Sequence, residues 1–147
     1  MTYAGYSAYN RVASTIDSKE MMLVKLLEGS VRFIQAARAG LEARDPRVKG
    51  ENISRVVAIV TELDCALDRN MGGSLVENLS DLYQYILGRL TLANLRNDNL
   101  MMGEVEGLLT TIKEGFAEAL KQMPTTVVSD HDLSYPAEYR GGFRIAA

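Results

Sequence analysis

The sequence predicts an all-α protein, an antiparallel up-and-down four-helix bundle with an N-terminal arm and a C-terminal tail. Three observations predict it. Four stretches carry apolar residues at alternating spacings of three and four, the period of a helix with one buried face. Two of the four open on a residue pattern that caps a helix N-terminus. Three short turns separate them, and short connections between long helices force antiparallel neighbours. The 147 residues amount to one domain, large enough for a real core.

The first helix is expected over about residues 18–43, where Leu23, Leu27, Ser30, Ile34, Ala37 and Leu41 form a seam. Asp17 with Glu20 reads as its capping box, and Arg38 and Arg44 suit the negative end of its dipole. Asp45-Pro46 breaks the pattern. Aspartate can cap and proline suits a first helical position, but Gly50 argues for a later start. The second helix is therefore expected over 51–69, with Ile53, Val56, Val60, Leu63 and Leu67 as its seam and Gly72-Gly73 as its stop.

Ser74 with Glu77 reads as a second capping box, opening a third helix over 75–96. Its seam is Leu75, Leu79, Leu82 and Ile86, then Leu90 and Ala93. Asn97-Asp98-Asn99 is a turn of cap-favouring residues. The fourth helix, 99–122, carries two adjacent stripes, one through Met101 and Leu108 and one through Met102, Leu109, Phe116 and Leu120, sharing Val105 and Ile112. Pro124 ends it. Residues 1–17 are left as an arm, 18–123 as the bundle and 124–147 as a mostly flexible tail. In the arm Tyr3, Tyr6 and Tyr9 recur every third residue, followed by Val12 and Ile16, so it can lie on something apolar.

Composition excludes several classes of function. With 16 basic and 19 acidic residues there is no positive field to hold nucleic acid. The longest strictly apolar run, Val56 to Val60, is far short of the ~20 residues of a membrane span. The first residues lack the basic and apolar regions of a secretory signal. Cys65 is alone, which fits a reducing, cytoplasmic setting.

The sole histidine, His131, falls in the tail, so no helix offers a phosphotransfer histidine or the Glu-x-x-His pairs of a di-iron site. One His and one Cys do not furnish a zinc site unaided, and a Cys–His nucleophile pair would join a helix to the tail. No Gly-x-x-x-x-Gly-Lys phosphate loop occurs. The expectation is a protein without catalysis, cofactor or metal.

What remains is apolar surface. Ile53, Val56, Val57, Ile59, Val60 and Leu63 cover more than one seam of the second helix, and the fourth helix is wider still. Such faces are either ordinary core or a groove for a partner helix. Met21-Met22 and Met101-Met102 fit gap-filling as well as adaptable binding. Tyr83 falls near the third seam and Tyr85 off it. Arg44, Arg47, Lys49 and Arg55 cluster around the first turn and read as solvated.

The third helix also carries a resemblance. Asn78-Leu79-Ser80-Asp81-Leu82-Tyr83-Gln84-Tyr85-Ile86, then Arg89-Leu90 and Ala93-Asn94, resembles the flagellar export chaperone family FliS. Glu62-Leu63, Leu67-Asp68 and Gly72-Gly73 resemble its second helix and glycine turn. Glu28-Gly29 and Phe33-Ile34-Gln35-Ala36 resemble its first helix. Asp98, Glu104-Val105 and Leu108-Leu109 resemble its fourth. The chain departs from the family pattern at Ser18-Lys19, at Leu26-Leu27 and at Phe116, which stands where the family has a late tryptophan.

The resemblance implies a cytoplasmic chaperone that holds the C-terminal segment of flagellin, prevents premature polymerisation and assists delivery to the export apparatus, without ATP. It leaves open further contacts with the export gate and flagellar regulatory proteins, and a homodimer. With periodicity it points to Ile53, Val57 and Val60 on the second helix and Leu109 and Phe116 on the fourth as client contacts. Tyr9 matches the family's N-terminal tyrosine, in an arm that either covers the groove or touches client. The alternative function is a structural or regulatory bundle that binds another protein, or itself, through the same surface.

Overall fold

The computed structural model describes the backbone of residues 3–71 and 73–122, with side chains from Lys19 onward except at Met71 and Gly72. The tail from 124 to 147, His131 included, lies outside the described residues. Among the described residues four α-helices run in order: α1 (Tyr3–Glu42), α2 (Pro46–Cys65), α3 (Ser74–Arg96) and α4 (Asn99–Gln122), with a 3-10 turn at Arg69–Met71. No strand occurs among the described residues. Consecutive helices pack side by side and α4 closes back on α1, which makes the predicted four-helix bundle.

The seams face inward as their spacing dictates. Leu27, Ser30, Ile34 and Ala37 of α1 meet Ile53, Val56, Val60 and Leu63 of α2. Tyr83, Ile86, Leu90 and Ala93 of α3 meet Met102, Val105, Leu109 and Ile112 of α4. The Ser30 hydroxyl, buried in this core, donates to the Leu27 carbonyl of the preceding turn, so it adds no unpaired polar group.

Four helix ends differ from the sequence reading, each for a local reason. α1 starts at Tyr3, not near residue 18, so Asp17 lies inside the helix and the capping box with Glu20 does not form. A cap marks a start only where the chain before it is not helical. Here the spacing Tyr9, Val12, Ile16 continues the period into Leu23, and no proline intervenes. The arm is thus helical backbone continuous with α1.

α2 starts at Pro46 because Asp45, in extended conformation, accepts a hydrogen bond from the Val48 amide. That cap and the proline outweigh the roughly 1 kcal/mol penalty of Gly50. α2 stops at Cys65, where the Leu67 amide turns to Asp64 and the Asp68 carboxylate accepts from the Asn70 amide, drawing the chain out of the helix. At α3 the cap is Gly73, with no side-chain bond, so Ser74 and Glu77 make no capping box. Gly73 sits at φ 102, ψ 165, a region essentially reserved for glycine. The limits of α4 agree with the sequence, and the Asp98 side chain accepts from the Met101 amide at its N-terminus.

Helix register follows from the contacts between neighbours. Arg38 reaches Asn99 and Glu106 on α4, and Gly40 touches Val48 and Lys49 on α2. Carried along the helices at equal rise, this register sets Cys65 level with Leu23 and Gln122 level with Lys19. The turns of α1 before Lys19 therefore run past the end of α4.

Candidate functional site

The two ends of the bundle are built differently. At the end holding the α1–α2 and α3–α4 turns, polar side chains tie every helix. Buried Lys49 donates to the Asn94 carbonyl at 3.1 Å and to the Asn97 side chain, fastening α2 to the close of α3. Arg38 pairs with Glu106 and with Asn99, and Gln35 adds a second bond to Glu106 at 2.9 Å. Burial pushes the Glu106 carboxyl up, but the bonds from Gln35 and Arg38 outweigh it and hold it below its ordinary value. An open cleft of about 390 Å³ here is lined by Gly40, Leu41, Arg44, Asp45, Pro46, Lys49 and Asn97, with its inner polar groups, Lys49 and Asn97, bonded to each other.

A clasp joins the middle of α3 to the second turn of α4. Tyr85 and Arg89 both donate to Glu104, and the Arg89 guanidinium stands 5.8 Å from the Tyr85 ring centre. Bonds from Tyr85 and Arg89 lower the Glu104 pKa. Beyond this clasp, among the described residues, no side-chain hydrogen bond joins the second half of α4 to another helix. Among the described residues, the side-chain tie at this far end is between α2 and α3, through Asp64, which accepts from Ser80, Gln84 and Arg69.

The core-facing stripes run out of neighbours at that end. Leu75 continues the seam of Leu79, Leu82 and Ile86 and so points toward the bundle axis, yet it is 71% exposed while Ile86 is fully buried. Leu79 and Leu82 are half-buried, as are Leu108, Phe116 and Leu120 on α4. Leu23 on α1 is half-buried, and Met21 and Met22 beside it are exposed. The result is an apolar opening between the first half of α3 and the second half of α4, facing the middle of α1.

The residues singled out in the sequence divide between core and rim. Ile53, Val60 and Leu109 are bundle core, so their surface is consumed by the protein's own fold. Val57 and Phe116 are half-buried against that core, Val57 on α2 and Phe116 in the opening. Tyr9 lies in the helical backbone of α1, and its side chain is outside the described residues. Leu75 and Leu120 are read in the sequence as seam or stripe alone, and Leu79 and Leu82 as seam and as part of the third-helix motif; periodicity gives their direction but not their depth.

Lys49 and Arg55, read as solvated, are engaged: Lys49 as above, Arg55 over the Phe33 ring at 5.3 Å. Burial of Tyr83, with Asp64 nearby, raises its pKa to about 12. Cys65 is exposed at the end of α2. No helix among the described residues is long and apolar enough to cross a membrane.

Fold and surface together define a small helical bundle with an exposed apolar opening at one end. A family model described as flagellar protein FliS matches residues 2–123, and the chain belongs to that family of chaperones. It is similar to the flagellar secretion chaperone FliS of Salmonella typhimurium, 39% identical over 83% of this chain and 91% of the relative. It is similar also to that of Bacillus subtilis, 30% identical over 79% of this chain and 86% of the relative. Identity to the flagellar secretion chaperone FliSB of Pseudomonas aeruginosa is 34%, over 76% and 89%. The third-helix motif now has places: Leu79 and Leu82 line the opening, Tyr83 is core, and Tyr85 and Arg89 close the clasp.

Proposed function

We propose that this protein is a cytoplasmic export chaperone that holds the C-terminal segment of flagellin, keeps it from polymerising and assists its delivery to the flagellar export apparatus. The observation that carries the reading is Leu75, a seam residue left 71% exposed at the end where the core opens. An amphipathic helix of the client completes that core by laying its own i, i+3, i+4 residues between α3 and α4. Each aliphatic side chain so covered contributes about 1.5–3 kcal/mol, offset by the ordering of the client. Holding needs no catalytic group, cofactor or nucleotide.

Phe116 and Val57 keep their proposed role as client contacts, Phe116 within the opening and Val57 on the flank of α2. Tyr9 belongs to the same reading, on the turns of α1 that run past α4. The export gate and flagellar regulatory proteins are further partners the reading leaves open. Calorimetry with a flagellin C-terminal peptide tests it, with light scattering of flagellin under polymerising conditions alongside. One peptide per chain and suppressed polymerisation are expected; no heat of binding together with unhindered polymerisation overturns the reading.

A further inference from the structure

We infer that the cleft at the sealed end binds a carboxylate-bearing segment of a second partner, an acidic stretch of peptide. The inference is independent of the reading of the apolar opening, which lies at the far end of the same helices. Its first ground is a buried cation without a counter-ion. Lys49 is 9% exposed, and its ammonium donates to the Asn94 carbonyl at 3.1 Å and to the Asn97 side chain, which leaves one of its three N–H groups over. Both acceptors are neutral, and among the described residues no carboxylate pairs with it. The carbonyl end of α3 returns roughly half an elementary charge, so the hydrogen bonding of Lys49 is met while its charge is not. Asp45, the acid of the cleft lining, has its carboxylate on the Val48 amide at 3.2 Å.

The second ground is Arg44, which lines the same cleft at φ 54, in the left-handed region that a bulky residue rarely enters. The close of α1 imposes that conformation. The Asp45 amide donates to the Gly40 carbonyl at 2.8 Å and the Arg44 amide to the Leu41 carbonyl at 3.1 Å, a closure whose left-handed position is most often glycine. Arg38, Arg47 and Arg89 all have carboxylate partners; the Arg44 guanidinium has none among the described residues. A strained cation standing where glycine fits better, beside a buried cation, points to an anion.

The third ground is size. About 390 Å³ is the volume of a site for a small molecule or a few side chains, far more than a lone inorganic ion fills. Leu41 and Pro46 supply apolar wall, and Leu95 and Leu100, 78% and 88% exposed, stand on either side of the Asn97 turn. A glutamate or aspartate between Arg44 and Lys49 accepts charge-assisted hydrogen bonds, while its neighbours in the peptide cover apolar surface.

The test titrates the full chain with a blocked tetraglutamate peptide and follows backbone amide signals by NMR, at fixed ionic strength because exposed charges are screened. The signals of Gly40, Leu41, Arg44, Asp45, Lys49 and Asn97 are expected to shift saturably, with those of Leu75, Leu79 and Leu82 unmoved. Replacing Lys49 strands the Asn94 and Asn97 acceptors and endangers the fold, so the variant is Arg44→Gly. Glycine relieves the left-handed strain, so this variant should melt no lower than wild type. Its tetraglutamate affinity should fall about tenfold, with flagellin peptide binding unchanged. No shift at the cleft, saturation by inorganic phosphate without a response to tetraglutamate, or full tetraglutamate affinity in Arg44→Gly overturns the inference. A wild-type chain that binds tetraglutamate at the cleft and ignores flagellin peptide contradicts the proposed function alone.

Discussion

The sealed and open ends of this bundle are made from the same helices and the same seam spacing, yet they do different work. At the sealed end Leu90 is fully buried, and Lys49, Arg38 and Glu106 cross-link the helices that surround the core. At the open end Leu75, on the same face of the same helix, is largely in water, and among the described residues the second half of α4 is held by apolar contact. On the proposed function, the difference teaches that stability and binding are assigned to separate stretches of one continuous core. One end specifies the fold; the other leaves apolar surface that a partner can finish.

Truncation at matched seam positions gives the largest contrast. Leu90→Ala, in the sealed core, is expected to destabilise by about 2–5 kcal/mol. Leu75→Ala is expected within about 0.5 kcal/mol of wild type, as for an exposed position. Urea midpoints at constant slope measure both, and equal losses would erase the distinction between the ends.

Tyr83 sharpens the comparison through pH. Its ring is in the core, and its folded pKa of about 12 lies above the ordinary 10. The unfolded chain therefore loses this proton first as pH rises. The stabilisation is intact below pH 10 and disappears between 10 and about 12, a loss of roughly 2–3 kcal/mol. Tyr83→Phe should flatten that part of the pH profile; an unchanged slope between pH 9 and 12 would show that Tyr83 is not its source.

Close packing at the sealed end gives the next effect. A Cβ on Gly40 would fall 2.8 Å from the Lys49 backbone nitrogen and 2.9 Å from Val48, with α2 leaving it nowhere to go. Gly40→Ala is expected to cost about 1–3 kcal/mol. Gly115→Ala, in the open half of α4 where an added Cβ meets nothing, should instead stabilise by about 0.5–1 kcal/mol through helix propensity. Thermal melts of the pair should move in opposite directions.

Much of this architecture is legible in the sequence, and the gaps have a common cause. Four seams at helical spacing identify the helices, and the limits of α4 follow from Asp98 and Pro124. Periodicity reports which way a side chain points. It does not report whether neighbouring helices extend far enough to cover it, which depends on relative length and register. That is why Ile53, Val60 and Leu109, chosen as client contacts, are core, while Leu75, one more seam leucine in the sequence, is exposed. The capping errors share this logic: Asp17-Glu20 and Ser74-Glu77 have the right residues, but the chain before Asp17 is already helical and Gly73 takes the cap before Ser74. Lys49 reads as a surface charge until α3 brings the Asn94 carbonyl to it.

The central claim is that client docks at the open end. It is tested most directly by two exposed leucines on one helix, Leu75 at 71% and Leu95 at 78% exposure, at opposite ends of α3. Each is replaced by aspartate, and binding of a flagellin C-terminal peptide is measured by calorimetry at matched salt, with helicity checked by circular dichroism. Leu75→Asp should weaken binding tenfold or more, a loss of about 1.4 kcal/mol or greater, with Leu95→Asp unchanged. Full affinity in Leu75→Asp, or loss in Leu95→Asp instead, would contradict the account.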